Sequence, residues 1–78
     1  MVDFLRINVV EKINGSYGEH GLLINPKKFR YLYAKFDEKD DLYIVFGIYD
    51  NNIGVRMSKE SFGQLEQKLS IKIPFYNI

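Results

Sequence analysis

The chain has 78 residues, 27% of them charged, and a formal net charge of +1. That length makes one domain, which buries only roughly 60–65% of the surface its unfolded form exposes. It has no cysteine and a single histidine, His20. These counts exclude disulfides and thiolate metal sites, and most chemistry built on imidazole. With 46% hydrophobic and 15% aromatic residues the chain is too apolar for a disordered segment, and no apolar run approaches the ~20 residues of a spanning helix. The N-terminus has an early acid and no basic segment before an apolar run, so the expected location is cytoplasmic.

Leu5, Ile7, Val9 and Ile13 alternate with mostly polar neighbours, which predicts a strand with one buried face. Asn14-Gly15 is a strong turn pair. Gly15, Gly18 and Gly21 then predict about seven residues of loop. Leu22 to Ile24 restarts an extended run, and Pro26 interrupts it. Residues 29–36, rich in tyrosine and phenylalanine, predict another strand. Asp37 to Asp41 form a charged loop, read as a solvated hairpin tip rather than a cation site. Leu42 to Tyr49 is the strongest strand, apolar at nearly every position. Asp50 to Asn52 is a turn, and Ile53 to Met57 a short strand.

One helix is well signalled. Ser58 is a good N-cap, Glu60 suits the first turn and Lys68 the last. Phe62, Leu65 and Leu69 fall on one helical face. After Ser70 an extended apolar tail, residues 71–78, has no assignable partner. The fold expected is α+β: one domain over residues 1–78, with an antiparallel sheet of four or five strands followed by a C-terminal amphipathic helix. One helix cannot cover both faces of that sheet. The second face must be solvated, covered by another subunit, or used for binding.

Catalysis finds little support. His20 lies between glycines and acids, with no neighbour in the sequence to hold it as a general base. The serines lack a histidine partner, and no phosphate-binding glycine loop is present. The chain reads as a non-enzyme with no metal and no cofactor.

Charge by segment is more telling. Residues 27–36 carry +4, from Lys27, Lys28, Arg30 and Lys35, and residues 37–41 carry −3. The basic segment also holds Phe29, Tyr31 and Tyr33. Cations interleaved with flat rings suit a single-stranded nucleic acid: the cations meet phosphates and the rings stack on unpaired bases. Strand parity places Tyr31, Tyr33 and Lys35 on one face of residues 29–36. It places Tyr43, Val45 and Tyr49 on one face of residues 42–49, opposite Leu42, Ile44, Phe46 and Ile48. The expectation is that each strand offers one tyrosine face, unless those tyrosines only edge a core. Arg30 falls on the other parity unless a bulge shifts it.

The run from Ile53 through Ser58, Phe62 and Leu65 resembles the C-terminal signature of the positive-cofactor-four family, transcriptional-coactivator-like single-stranded DNA-binding proteins with small bacterial and phage relatives. Lys28-Phe29-Arg30-Tyr31 and Leu42 to Phe46 are similar to that family's central hairpin. The resemblance covers about residues 28–69. It implies four antiparallel strands, a C-terminal helix and a homodimer with paired helices, whose curved sheets bind single strands. Lys28 and Arg30 match basic positions of the family pattern, and Lys35 roughly a third. Gly47 and Asp50 depart from it, standing where relatives carry a basic residue and a large aromatic.

The function expected is thus a single-stranded nucleic-acid-binding module, for DNA rather than RNA, in transcription, replication or recombination. Lys28, Arg30, Lys35 and Arg56 would contact phosphates, and Tyr31, Tyr33 and Tyr43 would stack on bases. The alternative is a small phage- or plasmid-type interaction module that docks its tyrosine face or apolar tail on a host protein.

Overall fold

Leu5–Ile13 and Ser16–Ile24 form strands β1 and β2 of a computed structural model that describes residues 4–29, 31–49 and 53–76. Asn14 and Gly15 between them have φ of 53° and 83°. Two positive φ values give the turn whose twist matches that of the flanking strands, and Asn-Gly adopts it at least cost. The register runs from Ile13 opposite Ser16 to Leu5 opposite Ile24. The predicted loop after Gly15 is therefore a strand, with Gly18 and Gly21 inside it. A tight turn that sets the register of nine opposed residues outweighs the weak strand preference of glycine.

Strands β3 (Tyr33–Asp37) and β4 (Leu42–Phe46) make a second hairpin, and β5 (Val55–Met57) completes the sheet. The spatial order is β2-β1-β5-β4-β3, antiparallel throughout. The expected strand over 29–36 starts only at Tyr33; before it Pro26–Lys28 forms a 3₁₀ turn capped by the Asn25 side chain, with Phe29 closing its far end. The strand from Leu42 stops at Phe46, because Gly47 turns the chain with φ 103°. The turn expected at 50–52 lies outside the described residues.

Helix α1 spans Lys59–Leu69. Ser58 Oγ accepts from the Ser61 N–H at 3.1 Å, as an N-cap should. At the other end Ser70 takes the left-handed conformation, and Ile71 N–H donates back to Glu66 O. Phe62 and Leu65 are buried and Leu69 half-buried, as the apolar spacing predicts. They pack on Ile7, Val9, Val45, Val55 and Met57, with Met57 and Leu65 fully buried. The α+β expectation holds, with five strands. No described helix is long and apolar enough to cross a membrane.

The apolar tail finds its partner on the outer edge of β3. Ala34 N–H donates to Pro74 O and Tyr76 N–H to Ala34 O, each at 2.9 Å, in a parallel bridge. Proline fits there because only its carbonyl is used. Ile73 is buried in the core, and its N–H donates to the Glu66 carboxylate at 2.8 Å.

Candidate nucleic-acid interface

Sheet register decides which side chains share the face away from α1. Tyr33 stands opposite Phe46, Lys35 opposite Ile44, Ile44 opposite Arg56, and Arg56 opposite Val10. Directly opposed residues point to the same side of a sheet. Lys35, Ile44, Arg56 and Val10 thus form one row across four strands, with Tyr33 and Phe46 in the next row. Gly54 makes room for that second row. A methyl group there would lie 2.9 Å from Phe46 Cε1 and closer still to Ile44 Cγ2.

The aromatic rings on this face form one continuous group. Tyr33 and Phe46 stack with centroids 4.9 Å apart and planes 12° apart. Tyr76 of the tail meets Tyr33 edge-on at 5.0 Å, and the Tyr31 ring lies 6.3 Å from Tyr33. Tyr31 is 67% exposed and Tyr76 49%, so both offer free ring surface. Lys35 Nζ sits 5.9 Å from the Phe46 ring centroid, within cation–π range. Tyr31, Tyr33, Lys35 and Tyr76 line one shallow cleft.

Sheet twist shapes the rest. Successive strands rotate by roughly 20–25°, so opposite corners of a five-stranded sheet bend toward each other, one diagonal on each side. On the aromatic side, Tyr17 near the end of the first hairpin donates to Asp40 Oδ2 at 2.7 Å at the tip of the second. On the helix side, Phe4 and Ile24 border one cleft with Ile48 and Tyr49. The hydrogen bond to Asp40 holds the Tyr17 hydroxyl above its ordinary pKa of 10.0, helped by the negative charge of Asp40 and Asp37 and opposed by Arg56. A pKa raised in the folded state means the contact stabilises the fold below the unfolded value and is lost as pH rises through the folded one. Absorbance titration should therefore show a tyrosine that ionises above 10.0, and Tyr17→Phe should remove that component.

The sequence-predicted residues divide into groups. Tyr31, Tyr33 and Lys35 come together, and Arg56 shares their face on the far side of Ile44. Tyr43 does not join them. It stands opposite Met57 on the helix side, with its ring 4.6 Å from Phe62, 5.2 Å from Phe36 and 5.5 Å from Phe75. Lys28 is exposed beside the cleft of Phe4 and Ile48, away from the aromatic group. Arg30 and Asp50 lie outside the described residues. Phe46, Tyr76 and Tyr17 belong to the face and were not singled out by the sequence. Phe46 carried the signal of a large aromatic on the strongest strand, but parity alone set it with the aliphatic side chains.

His20 does have a neighbour to hold it. It lies on β2, with Nε2 3.2 Å from Glu11 Oε2 across the hairpin, both side chains well exposed. Among the described residues no group of three or more His, Cys, Asp or Glu side chains is placed to hold a metal ion. Gly47, the departure from the family pattern, has a structural cause: its positive φ and the close approach of the Tyr31 carbonyl leave no room for a side chain. Comparison with protein-family models, with curated proteins and with solved structures finds no match to this chain.

Proposed function

We propose that the chain is a non-enzymatic module that binds single-stranded nucleic acid on the sheet face away from α1. The observation that carries this reading is the stacked Tyr33–Phe46 pair, flanked by Tyr31, Tyr76 and Lys35 on an open face. Stacking on such rings contributes about 1–3 kcal/mol per base and tolerates any sequence. Lys35 and Arg56 supply the phosphate contacts near the rings, and Lys28, beside the cleft of Phe4 and Ile48, takes no part in them. The resemblance to the positive-cofactor-four family favours DNA over RNA and a role in transcription, replication or recombination.

Asp37 and Asp40 stand at one end of this face, close enough to Tyr17 to act on its hydroxyl. They repel phosphate, so binding is modest in strength. Titrating a fluorescent oligo-dT at two salt concentrations tests the reading. Affinity should fall as salt rises, because each phosphate contact releases a counterion. No binding at low salt, or binding indifferent to salt, rejects it.

The same acids favour a second reading, a protein-interaction module that captures a host protein on its tyrosine face. The tail has no free role there, since it is docked on β3. Under this reading Tyr33→Ala abolishes capture in a pull-down while Lys35→Ala and Arg56→Ala matter little. The reverse ranking supports nucleic acid.

A further inference from the structure

The two edges of the sheet are treated differently. The β3 edge is paired at Ala34 by residues 74–76 of the tail. The β2 edge, nine residues from Ser16 to Ile24, has no strand on its outer side among the described residues. An uncovered edge is a row of unmet backbone donors and acceptors, ready to pair with another chain. From its geometry we infer that β2 pairs antiparallel with β2 of a second copy, about a two-fold axis at His20.

Register and charge select this occupant. A two-fold axis normal to the sheet keeps each residue on its own face, so only registers that oppose residues of the same face are open. Among these, only the one centred on His20 uses all nine residues. It sets Tyr17 opposite the partner's Leu23, and these side chains are 38% and 67% exposed in the single chain. It also sets Glu19 opposite the partner's Gly21. The Arg6 guanidinium lies over Gly21, where an added methyl group would sit 2.6 Å from Arg6 Nε. Each Glu19 carboxylate therefore meets the partner's Arg6, and the axis makes this contact twice. At the axis His20 faces its own copy, with each ring beside a Glu11 carboxylate at 3.2 Å.

The paired helices that the family resemblance implies find no such support. The solvent side of α1 carries Lys59, Glu60, Gly63, Gln64, Gln67 and Lys68, all exposed and none of them a large apolar residue. The edge pairing is independent of what the aromatic face binds. It would join two such faces into one continuous sheet.

Sedimentation of the full chain at micromolar concentrations tests it. The wild type should sediment at twice the 9.2 kDa of one chain. Glu19→Arg and Arg6→Glu should each weaken the dimer about tenfold or more, because each sets like charges face to face. The double variant should restore it. Exchange of backbone amides over 16–24 in the wild type, which needs no variant, should slow as concentration rises. A wild type that stays monomeric overturns the pairing. So does a dimer indifferent to both single variants, or amides whose exchange ignores concentration. Single variants that weaken the dimer without rescue by the double overturn this register.

Discussion

Replacing Gly47 by alanine is expected to remove about half of the stability of this protein. Gly47 holds φ 103°, and a methyl group there would sit 2.9 Å from the Tyr31 carbonyl carbon and 3.1 Å from Leu32 Cα. Neither neighbour can yield, because both are backbone leading into β3. Backbone strain at such a φ costs about 1–3 kcal/mol. Overpacking costs about the same again, so the expected loss is about 2–6 kcal/mol. A domain of this size has roughly 4–12 kcal/mol in total. Urea unfolding measures the loss as a fall in midpoint. The same substitution at Gly63 should act in the opposite direction. Gly63 is exposed in the interior of α1, and nothing lies within 4 Å of an added methyl group. There alanine should stabilise by about 0.5–1 kcal/mol. Equal effects at the two positions would contradict the backbone described at Gly47.

Tyr33→Ala and Tyr43→Ala are expected to separate binding from stability. The two tyrosines lie on adjacent strands but on opposite faces. Tyr33 touches Tyr31, Phe46 and Tyr76 on the open face, so its loss disorders the whole stacking platform. Affinity for an oligo-dT should fall by about 1–3 kcal/mol, roughly fivefold to more than a hundredfold. Tyr43 instead joins β4 to α1 and to the tail through Phe62 and Phe75. Its removal should cost about 2–4 kcal/mol of stability, somewhat below a fully buried aromatic, because Tyr43 is only half-buried. Binding by the protein that remains folded should change little. A titration corrected for the folded fraction distinguishes the two effects. Equal losses of affinity would place both rings in one site and contradict the register.

That separation turns on one residue at a hairpin tip. A loop over Asp37 to Asp41 would set Phe36 opposite Leu42 and bring Tyr43 beside Lys35 on the tyrosine side. In the structure Asp37 belongs to β3 and stands opposite Leu42, leaving a four-residue tip. The tip is closed locally: Asp37 Oδ1 accepts from the Lys39 N–H at 3.1 Å, and Asp41 takes φ 54°. A shift of one residue exchanges the two faces of a strand relative to its partner. It moves Tyr43 into the core and Phe46 onto the open face. Composition could not show this, because every residue involved is a good strand former.

The sequence by itself determined the elements whose causes are local. The Asn14-Gly15 turn, the Ser58 cap, the Phe62–Leu65–Leu69 stripe and the basic-aromatic run each act within a few residues, so spacing reveals them. It also determined that one sheet face lacks a helix to cover it. Only the tertiary structure decided what depends on contacts between distant segments. The strand through Gly18 and Gly21 exists because β1 pairs with it. The tail is placed by the free edge of β3 and a core site for Ile73. Tyr17 reaches Asp40, 23 residues away, because twist accumulated over five strands brings opposite corners together. The aromatic group is the clearest case. Its rings come from the entry to β3, from β3, from β4 and from the tail, and they meet only through hairpin register and tail docking, which no local pattern records.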